Sequence, residues 1–241
     1  VSSPFVLGAH PVRRDRQSAI YGVQPLLEGE TMEVRLERSR PPLQAARQAA
    51  VQLTRAVAAL HRIGVVHRDI KPENVMLLAD GGLKLIDLGV ARLPQVEDFH
   101  ADEIPGTPGF MAPEQFEGNP GDDLTDQFAL GVTLYRWFTG AWPYGEQEAF
   151  QRPRFGAPTP PSRHRPEIPS WLDEAILTAL QPRREARFGD VIELLRELES
   201  GAALDRRKLR ARPLIERNPL IFWQGLSALL GAGLLASLLL R

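Results

Sequence analysis

The sequence predicts a mainly α-helical lobe with one small β-hairpin, followed by a basic linker and a transmembrane helix. Three observations support this fold class. Apolar residues recur at three- and four-residue spacing over several stretches, as on the buried face of an amphipathic helix. Two short apolar runs flank Asp80-Gly81-Gly82, a sequence typical of a hairpin turn. Residues 220–240 contain no charged side chain.

Composition narrows the class of protein. The chain has 241 residues, of which 43% are hydrophobic and 24% charged. These ordinary globular proportions exclude a disordered or fibrous chain. The net charge of -1 gives no support for nucleic-acid binding. Because the sequence contains no cysteine, it has no disulfide framework, zinc-thiolate site or cysteine nucleophile.

The predicted elements follow in order along the chain. Pro41-Pro42 opens a helix whose apolar positions run from Ala46 to Leu60, and Gly64 is its predicted stop. Short strands are predicted at 74–78 and 83–86, on either side of the hairpin turn. Residues 128–138 are apolar on almost all sides, which indicates a buried helix. Amphipathic helices are predicted at 171–180 and 191–198, and the Pro- and Arg-rich stretch 151–170 is predicted to be a surface loop.

The C-terminal region predicts a membrane anchor. A helix over 220–240 would be about 32 Å long, enough to cross about 30 Å of hydrocarbon. Six basic residues precede it between Arg206 and Arg217, which predicts that the N-terminal side is cytoplasmic. We therefore expect a single pass through the inner (cytoplasmic) membrane, with the lobe on the cytoplasmic side. A buried core helix is the alternative, but such helices usually keep a polar stripe.

Residues suited to phosphoryl transfer cluster around the hairpin. The segment 67–74 reads HRDIKPEN, and Asp87 follows the second strand. Phosphoryl transfer needs a carboxylate base, a cation and oxygen ligands for magnesium. Asp69 and Lys71 supply the first two, and Asn74 and Asp87 supply the ligands.

This segment resembles the eukaryotic-type (Hanks-type) bacterial Ser/Thr protein kinases. The catalytic-loop pattern H-R-D-x-K-x-x-N is matched at every defined position, and Asp87-Leu88-Gly89 stands where the family has D-F-G. Residues 106–114, GTPGFMAPE, resemble the segment ending in A-P-E. Asp126 and Arg187 match the aspartate that begins the large buried helix and the arginine that pairs with Glu114.

The resemblance implies a role for each of these residues. Asp69 would orient and deprotonate the substrate hydroxyl, and Lys71 would stabilise the γ-phosphoryl group. Asn74 and Asp87 would hold Mg²⁺, and Thr107 would position Asp69 and Lys71. Asp126 would accept hydrogen bonds from the catalytic-loop backbone, while His67 would be a buried structural residue.

The same residues indicate the substrate class. Lys71 and Thr107 follow the serine/threonine pattern, so protein substrates with Ser or Thr hydroxyls are expected, together with ATP. Small-molecule phosphotransferases of the aminoglycoside kinase type share the catalytic Asp, the Asn and the magnesium Asp. They generally lack the lysine, the A-P-E segment and its arginine, all of which this chain has.

Most of the family's small lobe has no counterpart. The chain has no G-x-G-x-x-G loop and no lysine before Lys71. Residues 21–32 resemble the last small-lobe strand and the hinge, which would make Gln24 the gatekeeper. The backbone of Pro25 and Leu27 would then face adenine, and Met76 would form part of the adenine floor.

These observations predict four regions: a remnant of the small lobe and hinge (1–40), the large lobe (41–202), a basic juxtamembrane linker (203–219) and the transmembrane helix (220–240). We expect a membrane-anchored Ser/Thr kinase that is inactive as this chain alone. Two alternatives stay open. One is a truncated pseudokinase that acts as a membrane-tethered interaction module. The other is a signalling scaffold whose basic linker binds anionic lipid.

Two further expectations concern neighbouring segments. Residues 143–156 and 214–224 resemble bacterial proteins that join a metal-dependent protein phosphatase to a kinase, so a phosphatase domain is expected upstream. No Ser, Thr or Tyr lies between Asp87 and Thr107, which excludes a phosphorylation switch within that stretch. Arg68 is expected to pair with an acidic residue among 97, 98, 102 and 103, unless these residues form a solvated loop.

Overall fold

The computed structural model describes residues 25–91, 106–145 and 154–211, together with six isolated positions: Pro4, Val6, Leu220, Trp223, Gln224 and Ser227. Within helix 191–211, side chains are described as far as residue 201. The chain divides into two compact units, Val1–Glu199 and Ser200–Arg241. All the residues discussed below as a candidate site lie in the first unit.

The described elements are mostly helical. The strands are β1 (Gly29–Thr31), β2 (Val75–Leu78) and β3 (Leu83–Leu85). The helices are α1 (Met32–Arg38), α2 (Leu43–His61), α3 (Asp123–Thr139), α4 (Pro161–His164), α5 (Ser170–Ala179) and α6 (Val191–Ala211). Short 3-10 turns occur at Pro72–Asn74, Pro108–Phe110, Pro113–Glu117 and Arg184–Ala186.

The predicted hairpin is confirmed, but the sheet has a third strand that was not predicted. Its order is β1-β2-β3, with every pair antiparallel. Gly81 occupies the left-handed region with φ 83 in the turn between β2 and β3, where glycine meets no steric penalty. Strand β1 pairs Thr31 with Met76, and its three residues are too few to show an alternating pattern.

Helix α3 forms the centre of the lobe. It is buried along nearly its whole length, as predicted for 128–138, and Trp137, Tyr135 and Phe138 are among the largest fully buried side chains. Asp122 caps its N-terminus by accepting hydrogen bonds from Leu124 N and Thr125 N. The helix ends at Gly140, whose φ of 72 is left-handed.

Residues 29–38 pack on this helical lobe. Met32 is fully buried in the core, and Arg136 Nη2 on α3 lies 2.9 Å from Glu33 Oε1 on α1. These residues fall within the region 1–40 that we predicted to be a small-lobe remnant. In the structure, β1 pairs with β2 and α1 contacts α3 through this ion pair, and the boundary of the remnant at residue 40 stays a prediction.

The prediction of a surface loop over 151–170 is wrong in part. The described portion contains the short helix α4, and Pro161 and Ile168 are buried. Tyr135 Oη donates to Thr159 O at 2.7 Å, and Ser162 N donates to Asp173 Oδ1 at 2.8 Å. Prolines in sequence usually mark loops, but here Pro161 is buried at the start of α4.

The predicted transmembrane stretch 220–240 lies almost entirely outside the described residues. Among the residues that the structure does describe, none of the helices is long and apolar enough to cross a membrane. Helix α6 extends from Val191 to Ala211. It therefore runs beyond the predicted end at 198 and into the basic stretch.

Candidate active site

Four predicted site residues converge at the loop between α2 and β2. Lys71 Nζ lies 2.7 Å from Asp69 Oδ2 and donates to Thr107 Oγ1 at 2.8 Å. The Thr107 hydroxyl in turn donates to Asp69 Oδ1 at 2.9 Å. Asn74 Nδ2 donates to the backbone oxygen of Asp69 at 2.8 Å and to Asp69 Oδ2 at 3.0 Å. The expected contacts of Thr107 with Asp69 and Lys71 are therefore present.

This network keeps Asp69 ionised. Partial burial of the carboxyl would raise its pKa, but hydrogen bonds from Lys71, Thr107 and Asn74 and the charge of Lys71 outweigh burial and lower the pKa of Asp69 from its ordinary value. The Asp69 side chain remains 14% exposed. A carboxylate that is charged at neutral pH and reachable from solvent can accept a proton from a hydroxyl.

Asn74 directly precedes β2, and Asp87 lies two residues after the end of β3. Ile86 N, next to Asp87, donates to Asn74 O at 2.9 Å. Asn74 is buried with its amide nitrogen toward Asp69, so the amide oxygen is its available ligand atom. Asp87 is exposed and has a left-handed φ of 63, and its Oδ1 accepts a hydrogen bond from Gly89 N.

This donor set fits magnesium bound together with phosphate oxygens. Mg²⁺ usually takes one or two protein oxygen ligands and completes its shell with phosphate and water. Within the described residues, no group of three or more His, Cys, Asp or Glu side chains could hold a metal ion alone. One amide oxygen and one carboxylate are therefore suited to a cation that arrives with a nucleotide.

Asp126 on α3 fixes the backbone of the catalytic loop, as predicted. Its Oδ2 accepts from His67 N and its Oδ1 from Arg68 N, both at 2.8 Å. Arg68 has a left-handed φ of 67, a conformation that is uncommon for a non-glycine residue. The two bonds to Asp126 compensate for this backbone conformation. His67 is fully buried, with Nε2 3.2 Å from Ile86 O.

Sequence reasoning missed His61, which completes this site from α2. Its Nε2 lies 2.9 Å from Asp126 Oδ2. Burial lowers the pKa of His61, but the hydrogen bond with Asp126 and the charges of Asp126, Asp123 and Asp122 outweigh burial and raise the pKa from its ordinary value. A histidine near the end of a predicted helix carries no pattern that identifies such a partner.

The predicted pair of Glu114 and Arg187 is confirmed. Arg187 Nη1 and Nη2 donate to Glu114 Oε1 and Oε2 at 2.7 and 2.8 Å, in the bidentate geometry that favours arginine. The Arg187 side chain is fully buried. A second arginine, Arg184, also reaches Glu114 and was not predicted.

The remaining predicted residues lie either outside the described part of the chain or outside the hydrogen-bond network around Asp69. Gln24 and the acidic residues 97, 98, 102 and 103 lie outside the described residues. Pro25 is exposed, Leu27 is half-buried and Met76 is half-buried in β2. No hydrogen bond or ion pair in the described part of the chain joins Pro25 or Leu27 to Asp69. Arg68 Nε donates to Val90 O at 2.6 Å, just after Asp87-Leu88-Gly89.

Comparison with known proteins agrees with this geometry. The sequence profile of the protein kinase domain matches residues 2–191. The chain therefore belongs to the protein kinase domain family, and its helix-rich fold with a small three-stranded antiparallel sheet is protein-kinase-like.

Several bacterial serine/threonine-protein kinases are similar to this chain. Pkn1 of Myxococcus xanthus is 34% identical over 183 residues, covering 70% of this chain and 26% of that protein. PknL of Mycobacterium tuberculosis is 32% identical over 183 residues, covering 74% of this chain and 46% of that protein. A probable serine/threonine-protein kinase of Clostridium perfringens is 28% identical, covering 74% of this chain and 27% of that protein. The chain thus spans less than half the length of these relatives.

Proposed function

We propose that the native polypeptide containing this chain is a serine/threonine-protein kinase that transfers the γ-phosphoryl group of ATP to protein hydroxyls. The observation that carries the proposal is the closed network of Asp69, Lys71, Thr107 and Asn74. It combines an ionised carboxylate, a cation and a hydroxyl within hydrogen-bond distance of one another.

The proposed mechanism assigns each step to one of these groups. Asp69 accepts a hydrogen bond from the incoming hydroxyl and takes its proton as the phosphoryl group is transferred. Lys71, held by Asp69 and Thr107, offers its positive charge to the transferring group. Asn74 and Asp87 would hold Mg²⁺, which neutralises phosphate charge when bound. Positioning and electrostatics account for most of the catalysis of this reaction.

The substrate class rests on Lys71 and Thr107. The chain has both residues of the serine/threonine pattern, and the structure joins them by a 2.8 Å hydrogen bond. The relatives cited above are named as serine/threonine-protein kinases. We therefore propose Ser and Thr hydroxyls, and not Tyr, as acceptors.

Location and partners also belong to this proposal. The uncharged run 220–240 and the basic residues before it support a single membrane-spanning helix with the lobe on the cytoplasmic side. The resemblance of 143–156 and 214–224 to phosphatase–kinase fusions supports a phosphatase domain upstream.

A non-catalytic role is the second candidate function. It is favoured by the absence of any lysine before Lys71 and of a glycine-rich loop in the sequence. The retained network around Asp69 favours catalysis, because an interaction module has no need for an ionised carboxylate held by a lysine and a threonine. The following experiment distinguishes the two functions.

The proposal predicts that Asp69→Asn inactivates the native polypeptide. We expect kcat for phosphorylation of a generic protein substrate to fall at least about 100-fold, as for loss of a general base. Radiolabelled ATP, with phosphoamino-acid analysis of the product, measures both rate and acceptor type. Asp80→Asn is the matched control, because Asp80 lies exposed in the hairpin turn and its substitution should leave kcat within about twofold.

Thr107 provides a second variant in the same assay. Thr107→Ser keeps the hydroxyl that contacts Asp69 and Lys71, whereas Thr107→Val removes it and keeps the shape. Equal activity of wild type and Asp69→Asn, or phosphotyrosine as the main product, would contradict the proposal.

A further inference from the structure

Arg184 joins two carboxylates that belong to different parts of the lobe. It lies in the turn Arg184–Ala186, between α5 and α6. Its Nη1 lies 3.1 Å from Glu114 Oε1, and its Nη2 lies 2.5 Å from Asp122 Oδ2. The Arg184 side chain is 29% exposed, so it is partly shielded from solvent and can still be substituted without cutting into the core.

Glu114 and Asp122 belong to the two segments that position the candidate site. Glu114 lies in the turn Pro113–Glu117, shortly after Thr107, which contacts Asp69 and Lys71. Asp122 caps α3, and one turn further along α3, Asp126 holds the catalytic-loop backbone. Arg184 therefore links the segment that carries Thr107 to the helix that positions Asp69.

Arg187 also joins Glu114 to α3, but through the backbone oxygen of Leu124, whereas Arg184 joins Glu114 to the side chain of Asp122. Besides Glu114, the guanidinium of Arg187 donates to three backbone oxygens, those of Gln181, Leu124 and Pro182. All of its nitrogens are thus engaged, and none of these bonds reaches Asp122. Among the described residues, Arg184 is the cation that forms an ion pair with Asp122.

The negative charges around Arg184 explain why its two ion pairs matter. The first turn of α3 carries Asp123 and Asp126 in addition to the capping residue Asp122. Acidic residues favour a helix N-terminus, but Glu114 brings a further negative charge close to Asp122. Arg184 lies between Glu114 and Asp122 and neutralises that repulsion. Without Arg184, Asp122 would lose this ion pair and the turn Pro113–Glu117 would lose its link to the Asp122 side chain, while Arg187 would still join Glu114 to Leu124 O on α3.

We propose that Arg184 is a positioning residue that fixes segment 106–117 against α3 and so keeps Thr107 in contact with Asp69 and Lys71. As a statement about catalysis, this inference rests on the proposed kinase function. As a statement about structure, it stands on the two ion pairs alone. The experiment therefore has one readout for each.

The first readout is the kinetics of Arg184→Gln in the native polypeptide. We expect kcat to fall about tenfold with KM for ATP within about twofold, because the substitution disturbs the transition-state arrangement and not nucleotide binding. Arg183→Gln is the matched control, because Arg183 is the exposed neighbouring arginine. Arg184→Lys should recover part of kcat, since a lysine can reach one carboxylate but cannot bridge both.

The second readout is amide hydrogen exchange, which does not depend on phosphoryl transfer. Phe110 N and Gln115 N donate to backbone oxygens within segment 106–117, and Asn119 N donates to Glu114 O. We expect these amides to exchange at least about tenfold faster in Arg184→Gln than in Arg183→Gln. Amides in the middle of α5 should be unchanged.

The outcomes separate the two claims. If wild type transfers no phosphate, the proposed function fails, and hydrogen exchange still decides whether Arg184 fixes the segment. The inference is overturned if exchange in 106–117 is the same in Arg184→Gln and Arg183→Gln. It is also overturned if Arg184→Gln lowers Tm while kcat per folded molecule equals that of wild type, because the role would then be structural only.

Discussion

Three groups donate hydrogen bonds to the carboxylate of Asp126, and they come from two elements of the lobe. The backbone nitrogens of His67 and Arg68 approach from the catalytic loop, and the ring of His61 approaches from the end of α2. Because the Asp126 side chain is fully buried, these three groups replace the water that would otherwise solvate its charge. A single residue on α3 thus ties α2 to the loop that carries Asp69.

The His61–Asp126 pair predicts a pH-dependent contribution to stability. Burial lowers the pKa of His61, but the hydrogen bond with Asp126 and the charges of Asp126, Asp123 and Asp122 outweigh burial and raise the pKa from its ordinary value. A pKa that is raised on folding stabilises the native state fully below the unfolded-state pKa, and this contribution is lost as the pH rises through the folded-state pKa. We therefore expect the difference in Tm between wild type and His61→Gln to be larger at pH 6 than at pH 9.

Thermal unfolding followed by circular dichroism measures this difference in Tm. In a domain of this size, a change of about 1 kcal/mol in the free energy of unfolding shifts Tm by about 2–4 °C. His164→Gln is the matched control, because the His164 side chain is exposed, and its Tm should follow that of wild type at both pH values. A Tm difference for His61→Gln that is the same at pH 6 and pH 9 would show that the charge of His61 does not stabilise the fold.

At the residue scale, sequence motifs predicted contacts between residues far apart in the chain. The contacts of Asp126 with the catalytic loop, of Glu114 with Arg187 and of Thr107 with Asp69 are all present. His61 and Arg184 were not predicted. Their partners lie 65 and 62 positions away, and one His or Arg in a polar stretch carries no periodic signal that would identify a partner.

At the scale of elements, the packing of α3 against α5 depends on Gly131. A Cβ at this position would lie 3.1 Å from Ala179 Cβ and 3.3 Å from Leu180 Cδ2. Glycine normally weakens a helix interior by about 1 kcal/mol relative to alanine, so its presence here is explained by the close approach of the two helices. A larger side chain would push α5 away from α3.

We therefore expect Gly131→Val to lower the free energy of unfolding by about 1–3 kcal/mol, as overpacking of a core does. Urea denaturation measures this change. Gly156→Val is the matched control, because a Cβ at Gly156 would have no neighbour within 4 Å, and its effect should stay within about 0.5 kcal/mol. Equal stability of the two variants would mean that α3 and α5 adjust without cost.

The long helices could be predicted from sequence because their burial follows a regular pattern. Helix α2 has buried Ala46, Ala50, Leu53 and Val57 at the predicted spacing, and α3 is apolar on nearly all sides. The short elements β1, α1 and α4 were not predicted: β1 lies in the stretch predicted to be a strand and hinge of the small lobe, and α4 lies in the predicted surface loop. They have three, seven and four residues, so tertiary contacts such as that of Glu33 with Arg136 determine their structure more than local pattern does.

At the scale of the whole molecule, the candidate catalytic groups all lie in the unit Val1–Glu199. This unit provides a base, a cation and two oxygen ligands, but the sequence before Lys71 contains no lysine and no glycine-rich loop. In phosphoryl transfer, such groups position the β- and γ-phosphates. The chain also spans only 26% of Pkn1 and 46% of PknL. Catalysis is therefore best tested on both this chain and the native polypeptide that contains it.

We expect the 241-residue chain alone to phosphorylate a protein substrate with kcat/KM at least about 1,000-fold below that of the native polypeptide, because positioning supplies much of the rate of this reaction. The native polypeptide should be detected in source membranes, by an antibody against 189–217, at a mass well above 26.8 kDa. Asp69→Asn in both proteins is the control that identifies any activity as their own. Equal activity of the two proteins would show that the groups around Asp69 position the phosphates without a small-lobe lysine. A native mass of 26.8 kDa, with no activity, would instead favour the non-catalytic membrane module.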